Sequence, residues 1–492
     1  MLGLIQELAG LIFSSNIITI FLLCVVFVLA FWRKLLEKHL YPPGPLPLPF
    51  IGNDIALFAE SRHAYRYYNW KRYGNVVSFV SLGSWNVLLF GYDAIHEAFV
   101  KNAEHCSARK MPITQKAHGL VFSSQWKEQR RLALIVLRDF GMGKAKVESK
   151  IAQELEYNLE LLATLEGKQS SRTFKEVVGK GICNIINQVV FGRRLDYADK
   201  QFARLLKVDG FFAKQLIASR LPFYKFWPLD PLKLKEYTGY WDEVSQFIAK
   251  EIQEHKANLD VNEPKDYIDY SLAEGVKTGD EIYSNEEEIT ASVRQLFLGG
   301  YDTTSTTLTW SVLFLVNYPS AQQRVYEEIQ EVVGNRSVSL ADKDSMHFTQ
   351  AFLQELMRCG PVAWISLTHL CTADIVVQGH TIPKDTVVMA SLYSTYHDED
   401  IYPDSYTFHP DRFLDENGEF VRPSSKQMLP FSIGKRACPG EALARAELFM
   451  MFVAFVQRFE VKRLTEEKVR EDGINIFSYT PREFDFILKQ RL

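Results

Sequence analysis

Apolar positions run longest without a break at the start of the chain. Leu8 to Trp32 carries no charged residue over 25 positions, and roughly 20 such residues cross a bilayer core as a helix. Arg33 and Lys34 follow at once and Glu7 precedes, so the basic flank predicts a cytoplasmic side after the span. A cleaved signal peptide wants a basic start and a small-residue cleavage site; this stretch ends in Phe31-Trp32. Residues 1–40 are therefore read as a single-pass membrane anchor with its flank. Tyr41-Pro42-Pro43-Gly44-Pro45-Leu46-Pro47-Leu48-Pro49 then predicts a stiff extended hinge, because proline fixes φ and forbids a helix. Residues 41–492 are read as one domain behind that hinge.

From about residue 150 the apolar positions recur at three and four, as in 155–165 and 237–255, which predicts helices. Strand-like runs are short: 76–80 and 86–90 early, 375–377, 386–389 and 484–488 late. The polar stretches 166–171 and 258–266 read as surface loops. The fold class is mainly α with a minor β-sheet region drawn from both ends of the chain. One helix stands apart. Ser284 with Glu287 suggests a capping box, the helical pattern runs to Asn317, and Pro319 stops it. That is about 50 Å at roughly 1.5 Å per residue. Its nearly apolar second half predicts burial, yet its middle reads Gly299-Gly300-Tyr301-Asp302-Thr303-Thr304. Two glycines cost about 2 kcal/mol against alanine there. A buried helix that breaks local rules at its centre marks a functional site or a close helix crossing.

A net charge of −4 argues against nucleic acid as a partner, since a phosphate-binding surface shows a basic excess. The six cysteines, Cys24, Cys106, Cys183, Cys359, Cys371 and Cys438, are scattered with no CxxC pair, which fits reduced thiols rather than a disulfide framework. Cys438 differs by its surroundings. Pro439 follows it at a position suited to the start of a helix, and the sequence from Glu441 onward is helical. A thiolate near a helix N-terminus is stabilised by the dipole and unpaired amides, and Lys435 and Arg436 add positive charge. Cys438 is thus expected to ionise readily. Spacing alone allows a nucleophile, a redox thiol or a metal ligand.

The stretch Phe431-Ser432-Ile433-Gly434-Lys435-Arg436-Ala437-Cys438-Pro439-Gly440 resembles the haem loop of the cytochrome P-450 superfamily, F-x-x-G-x-R-x-C-x-G, at every fixed position. Three further motifs stand in the same order as in that superfamily. Gly299 to Thr304 resembles the oxygen-activation motif. Glu355-Leu356-Met357-Arg358 resembles the E-x-x-R pair, with Arg412 as its third member. Trp126-Lys127-Glu128-Gln129-Arg130 resembles the W-x-x-x-R helix. The resemblance covers nearly the whole chain and is strongest to the animal microsomal branch.

It implies haem b with Cys438 as axial ligand, the haem lying between the long helix and the cysteine loop. It implies Trp126, Arg130, His369 and Arg436 at the haem propionates, with Phe431, Gly434 and Gly440 shaping the loop; Lys116 is a weaker candidate. Asp302 and Thr303 would handle protons. Glu355, Arg358 and Arg412 would form a buried structural charge triad. Phe297, Gly299, Val362, Trp364, Ile365, Phe477 and Ser478 are candidates for the substrate pocket, with core packing the alternative for Phe297 and Phe477. Two departures stand out: the stretch between Phe122 and Trp126 is about two residues short of that branch, and Trp364 stands where a proline is common. The implied reaction is hydroxylation or epoxidation of a small apolar substrate (a lipid, steroid-like molecule or xenobiotic), with dioxygen and two external electrons. The implied electron donors are NADPH-cytochrome P-450 reductase and cytochrome b5, with Lys127, Arg131 and Lys435 as a basic docking patch. The implied address is the endoplasmic reticulum membrane, with the body in the cytoplasm. The alternatives are a haem-thiolate isomerase or synthase that rearranges a peroxide without reductase, and a haem-binding sensor.

Overall fold

A computed structural model of the chain describes residues 32–48, 52–53, 69–81, 83–109, 119–139, 145–199, 234–475 and 478–491, with isolated positions besides. Of the expected anchor, Leu8 to Trp32, only residues 25, 28, 29 and 32 are among them, so the span itself lies outside the described residues, as do Lys116 and Phe477. Among the described residues no helix is long and apolar enough to cross a membrane. Contacts divide the chain into two compact units: residues 1–107 with 367–391, and residues 108–366 with 392–492.

The first unit is built on a four-stranded sheet. Strand β1 (Val76–Ser81) pairs antiparallel with β2 (Ser84–Phe90). Numbering strands along the whole chain, β7 (Val387–Ser391) joins β2 in parallel and β4 (His369–Leu370) lines β7 on its other side. The residues of β2 from Trp85 to Phe90 are all buried, which is why that run is apolar apart from Asn86 rather than alternating. The sheet does join an early and a late part of the chain. The proline hinge lies along β1: Ser78 N–H donates to Pro43 O at 2.9 Å and Ser78 Oγ donates to Pro42 O at 2.5 Å. A Cβ on Gly44 would fall 1.9 Å from Ser78 O, so only glycine permits this approach.

The second unit is mainly helical. Its longer helices among the described residues are α1 (Trp126–Asp139), α2 (Ala145–Ala163), α3 (Ser171–Val190), α4 (Leu234–Asn258), α5 (Tyr267–Thr278), α6 (Glu286–Asn317), α7 (Pro319–Val332), α8 (His347–Cys359) and α9 (Glu441–Arg458). Helix α6 packs on α3, α9 and α8, and its residues from Thr304 to Asn317 are all buried. Its cap is one residue later than expected. Asn285 accepts from Glu287 N–H and Glu288 N–H, because an asparagine side chain reaches those amides as well as a serine does. Pro319 does not merely end α6 but opens α7, where its missing N–H costs nothing. The stretch 166–171 is not a plain loop: Gly167–Ser170 forms strand β3, paired antiparallel with β11 (Asp485–Gln490), which also pairs with β8 (Phe459–Arg463). Polar edge strands carry little alternation, so the pairing is decided by a partner over 300 positions away.

Candidate active site

The cysteine loop is held by its backbone. Cys438 N–H donates to Phe431 O at 2.9 Å. Ser432 and Gly434 take positive φ, 60° and 80°, a conformation that glycine adopts without strain. Gly440 is the N-cap of α9, so the helix begins three residues after Cys438 rather than at Pro439. Cys438 is exposed on one side. Its thiol is nonetheless raised above the ordinary range, foremost because the loop desolvates it; the Gly440 amide and the Arg130 charge pull the other way and Glu441 does not. The expected ready ionisation therefore does not arise from the chain alone. The expected cations are also corrected: Arg436 turns its guanidinium over the ring of Trp126, 4.0 Å away, and Arg130 is the cation that acts on the sulfur.

Three arginines crowd beside that loop. Burial, Arg109 and Arg130 push the Arg436 guanidinium down to about 8. Burial and Arg130 push Arg109 down to about 10. An arginine keeps its proton in proteins, so these depressions register burial and positive charge crowded on positive charge. Arg109 Nε is buried with no acceptor. Among the described residues no carboxylate pairs with Arg109 or Arg130. Arg109 escaped the sequence reading: Ser107-Ala108-Arg109-Lys110 looks like any basic surface turn, and only its buried Nε and the nearby Arg130 charge set it apart. His369 belongs to the first unit, where its Nδ1 lies 2.7 Å from Cys106 O and its ring stacks 3.8 Å from Phe99.

The centre of α6 separates its functions by face. A Cβ on Gly299 would meet nothing within 4 Å, whereas one on Gly300 would strike Ile186 Cδ1 of α3 at 2.5 Å. Gly299 thus opens a cradle and Gly300 lets two helices touch. Thr303, one turn after Gly299, donates its hydroxyl to Gly299 O at 2.6 Å. Asp302 faces elsewhere: Lys175 of α3 bonds one carboxylate oxygen at 2.8 Å and Ser478 Oγ bonds the other at 2.6 Å. A second acid stands behind the helix. Glu447 of α9 is buried, receives Thr304 Oγ1 at 3.4 Å, and has its other oxygen without a partner. Burial raises it to about 8, so it is a neutral acid at pH 7. Its sequence signal was an acid inside the apolar run after Leu443.

A cavity of about 40 Å³ is lined by Thr303, Thr304, Thr307, Val362 and Phe431 among others, joining α6 to the cysteine loop. Trp364 is buried, its carbonyl accepting from Tyr393 N–H at 3.0 Å, and Ile365 is half-buried. Phe297 packs on Phe191, ring centroids 5.6 Å apart. Arg131 of the expected docking patch bonds Glu274 and Tyr283. The charge triad is complete: Arg358 Nε and Nη2 each reach Glu355 at 2.7 Å and Arg412 Nε reaches it at 3.0 Å. Arg358 also bonds the carbonyls of Tyr396, Ser405 and Thr407.

A family model described as cytochrome P450 matches residues 42–488. The chain belongs to the cytochrome P450 family. Curated relatives matched over most of both chains agree. Cytochrome P450 2C26 of Mesocricetus auratus is 34% identical over 92% of this chain and 95% of its own. Cytochrome P450 2C8 of Homo sapiens is 35% identical over 91% and 94%, and cytochrome P450 2C5 of Oryctolagus cuniculus 36% over 91% and 93%. The protein is a cytochrome P450 monooxygenase, its haem ligated by a cysteine thiolate and its electrons supplied by a redox partner. The residues present fit a haem: a loop thiol, a glycine cradle on α6, and a cluster of three buried or half-buried arginines suited to a dicarboxylate.

Proposed function

We propose that this cytochrome P450 hydroxylates or epoxidises a small apolar substrate at haem b, with Cys438 as the iron ligand and Arg109, Trp126, Arg130 and Arg436 at the propionates. His369 has the same task by resemblance to the family. The observation that carries the reading is the paired arrangement on α6, where Gly299 leaves open space and Thr303 bonds the Gly299 carbonyl within one turn. When bound, the haem supplies oxygen activation, driven by electron donation from the thiolate. The chain supplies position, water control and protons. Charge-assisted bonds from the guanidiniums orient the cofactor. The Thr303 hydroxyl, held at its hydrogen by Gly299 O, offers its oxygen lone pairs to a proton donor. Asp302 must loosen its bond to Lys175 or Ser478 before it can pass a proton toward Thr303. The neutral Glu447 carboxyl holds a further proton beside Thr304. Val362, Trp364 and Ile365 are the described candidates for contact with substrate, and Phe297 contributes through its packing on Phe191.

The electron donors that fit are NADPH-cytochrome P450 reductase and cytochrome b5, meeting a face that includes Lys127 and Lys435. The proposed address is the endoplasmic reticulum membrane, held by the apolar N-terminal stretch with the body in the cytoplasm. Intact Asp302 and Thr303 favour this reaction over a peroxide isomerase, which needs no delivered protons. Two measurements test it. The reduced carbon monoxide adduct of the folded protein should show the red-shifted Soret band of thiolate ligation; its absence removes Cys438 as the ligand. Thr303→Ala should consume NADPH while releasing peroxide in place of product, and unchanged coupling removes Thr303 from proton delivery.

A further inference from the structure

Cys106 and Cys371 are 265 positions apart in the chain and 3.9 Å apart at sulfur. Both are free thiols with no exposed surface. Among the described residues, each thiol has the other as its polar neighbour. The main chain holds the two segments together. Thr372 N–H donates to His105 O at 2.8 Å, and His369 Nδ1 lies 2.7 Å from Cys106 O. Cys371 is itself fixed, its N–H on Thr386 O and its carbonyl receiving Asp385 N–H. The Thr372–His105 bond and the His369–Cys106 contact keep the two cysteine segments side by side. To bond, the sulfurs need to close from 3.9 Å to about 2.05 Å.

We propose that Cys106 and Cys371 are a redox-modification site that closes to a reversible disulfide when a peroxide reaches it. One sulfur attacks the peroxide and becomes a sulfenic acid, releasing water; the other sulfur displaces its hydroxyl, releasing a second water. Two S–H bonds and one O–O bond are lost, one S–S bond is gained, and the peroxide takes both electrons and both protons. The oxidant is one that a monooxygenase makes itself whenever activated oxygen is released without reaching substrate. Hydrogen bonding to Cys371 and burial hold the Cys106 thiol well above the ordinary range. Reaction is therefore slow, and a small uncharged oxidant is selected over bulky disulfide reagents. In a reducing compartment such a bond is a transient signal rather than a staple.

Closure draws on Cys106, whose carbonyl holds the His369 ring against Phe99. A consequence for haem retention rests on the reading of His369 as a propionate donor; the disulfide does not. The experiment treats the full-length haem-loaded enzyme with stepwise hydrogen peroxide, alkylates it, and digests it with trypsin without reduction. The expected product joins the peptide spanning residues 102–109 to that spanning 359–384, lighter by two hydrogens than the sum, and lost after dithiothreitol. The second peptide also holds Cys359, so fragment ions must place the link at Cys371. Cys106→Ala and Cys371→Val should each abolish it. A link at Cys359, sulfinic acid without a link, or thiols still open to alkylation once the peroxide is consumed would overturn the proposal. A parallel transfer of haem to apomyoglobin should run at a different rate after oxidation. An unchanged rate with the link present removes the consequence through His369 and leaves the disulfide standing.

Discussion

The Arg436 guanidinium lies 4.0 Å from the ring of Trp126, so the cysteine loop and the start of α1 are joined by an arginine stacked on an indole. A planar guanidinium rests its face on the ring while its N–H donors point outward from its edges. Trp126→Ala removes that support and opens a cavity, at a cost of about 3–5 kcal/mol. Haem content per protein should fall sharply by absorbance, while Trp126→Phe retains most of it. Equal haem content in all three proteins would show that the stack does not position Arg436.

The two adjacent glycines of α6 should respond oppositely to the same substitution. Gly300→Ala places a methyl 2.5 Å from Ile186 Cδ1, an overpacking cost of about 1–3 kcal/mol, set against about 1 kcal/mol gained in helix propensity. Its urea midpoint should drop and recover with Ile186→Val. Gly299→Ala meets no protein atom within 4 Å, so stability should hold or rise by about 1 kcal/mol while the Soret band of the haem shifts. A stable Gly300→Ala with an unshifted Gly299→Ala would reverse the assignment of faces.

Glu355→Gln should be among the most damaging single substitutions. It leaves Arg358, whose side chain has no exposed surface, without its carboxylate. Stripping one partner from a buried ion pair typically costs roughly 3–5 kcal/mol. Soluble, haem-loaded protein should be almost absent on expression. Normal yield with normal thermal unfolding would remove the triad as a structural element.

His255 sets a pH dependence away from the haem. Burial alone would lower its pKa, but the Asp266 carboxylate, 2.8 Å from Nε2, acting with the Glu251 carbonyl and Asp269, raises it to about 9 from 6.5. A group whose folded pKa lies above its unfolded value stabilises fully below the unfolded pKa and loses that stabilisation as pH rises through the folded one. Stability should therefore decline between about pH 6.5 and 9 in the native protein, and His255→Gln should flatten that decline. Urea midpoints across that range decide it, and parallel curves would show that the pair contributes nothing. Because Asp266 also caps α5 through Asp269 N–H, hydrogen exchange should quicken first in that helix.

Much of the site is legible in the residues because its chemistry is local. A loop thiol needs glycines at positive φ nearby, and Gly434 stands there. An i, i+3 spacing puts Glu355 and Arg358 on one helical face, and they do meet. The breach of helical rules at Gly299-Gly300 marked the centre of α6 before any partner was known. The same reasoning failed where partners decide. Ser284 and Asn285 are both good caps, and which one serves depends on the exact path into the helix. Gly167 to Ser170 became a strand because Asp485 to Leu488 lies beside it, not because of any alternation of its own.

The residues alone determine the anchor-like N-terminal run, the mainly helical class, the haem loop around Cys438 and the triad, since periodicity, proline, glycine and short spacings act within a few turns of chain. Tertiary structure alone decides that Arg109 joins the arginine cluster, that Lys175 and Ser478 hold Asp302, that Glu447 stays a neutral acid, and that Cys438 is not an acidic thiol by itself. Each of these depends on burial and on charges brought from distant segments. Desolvation and through-space electrostatics carry no trace in the order of residues along the chain.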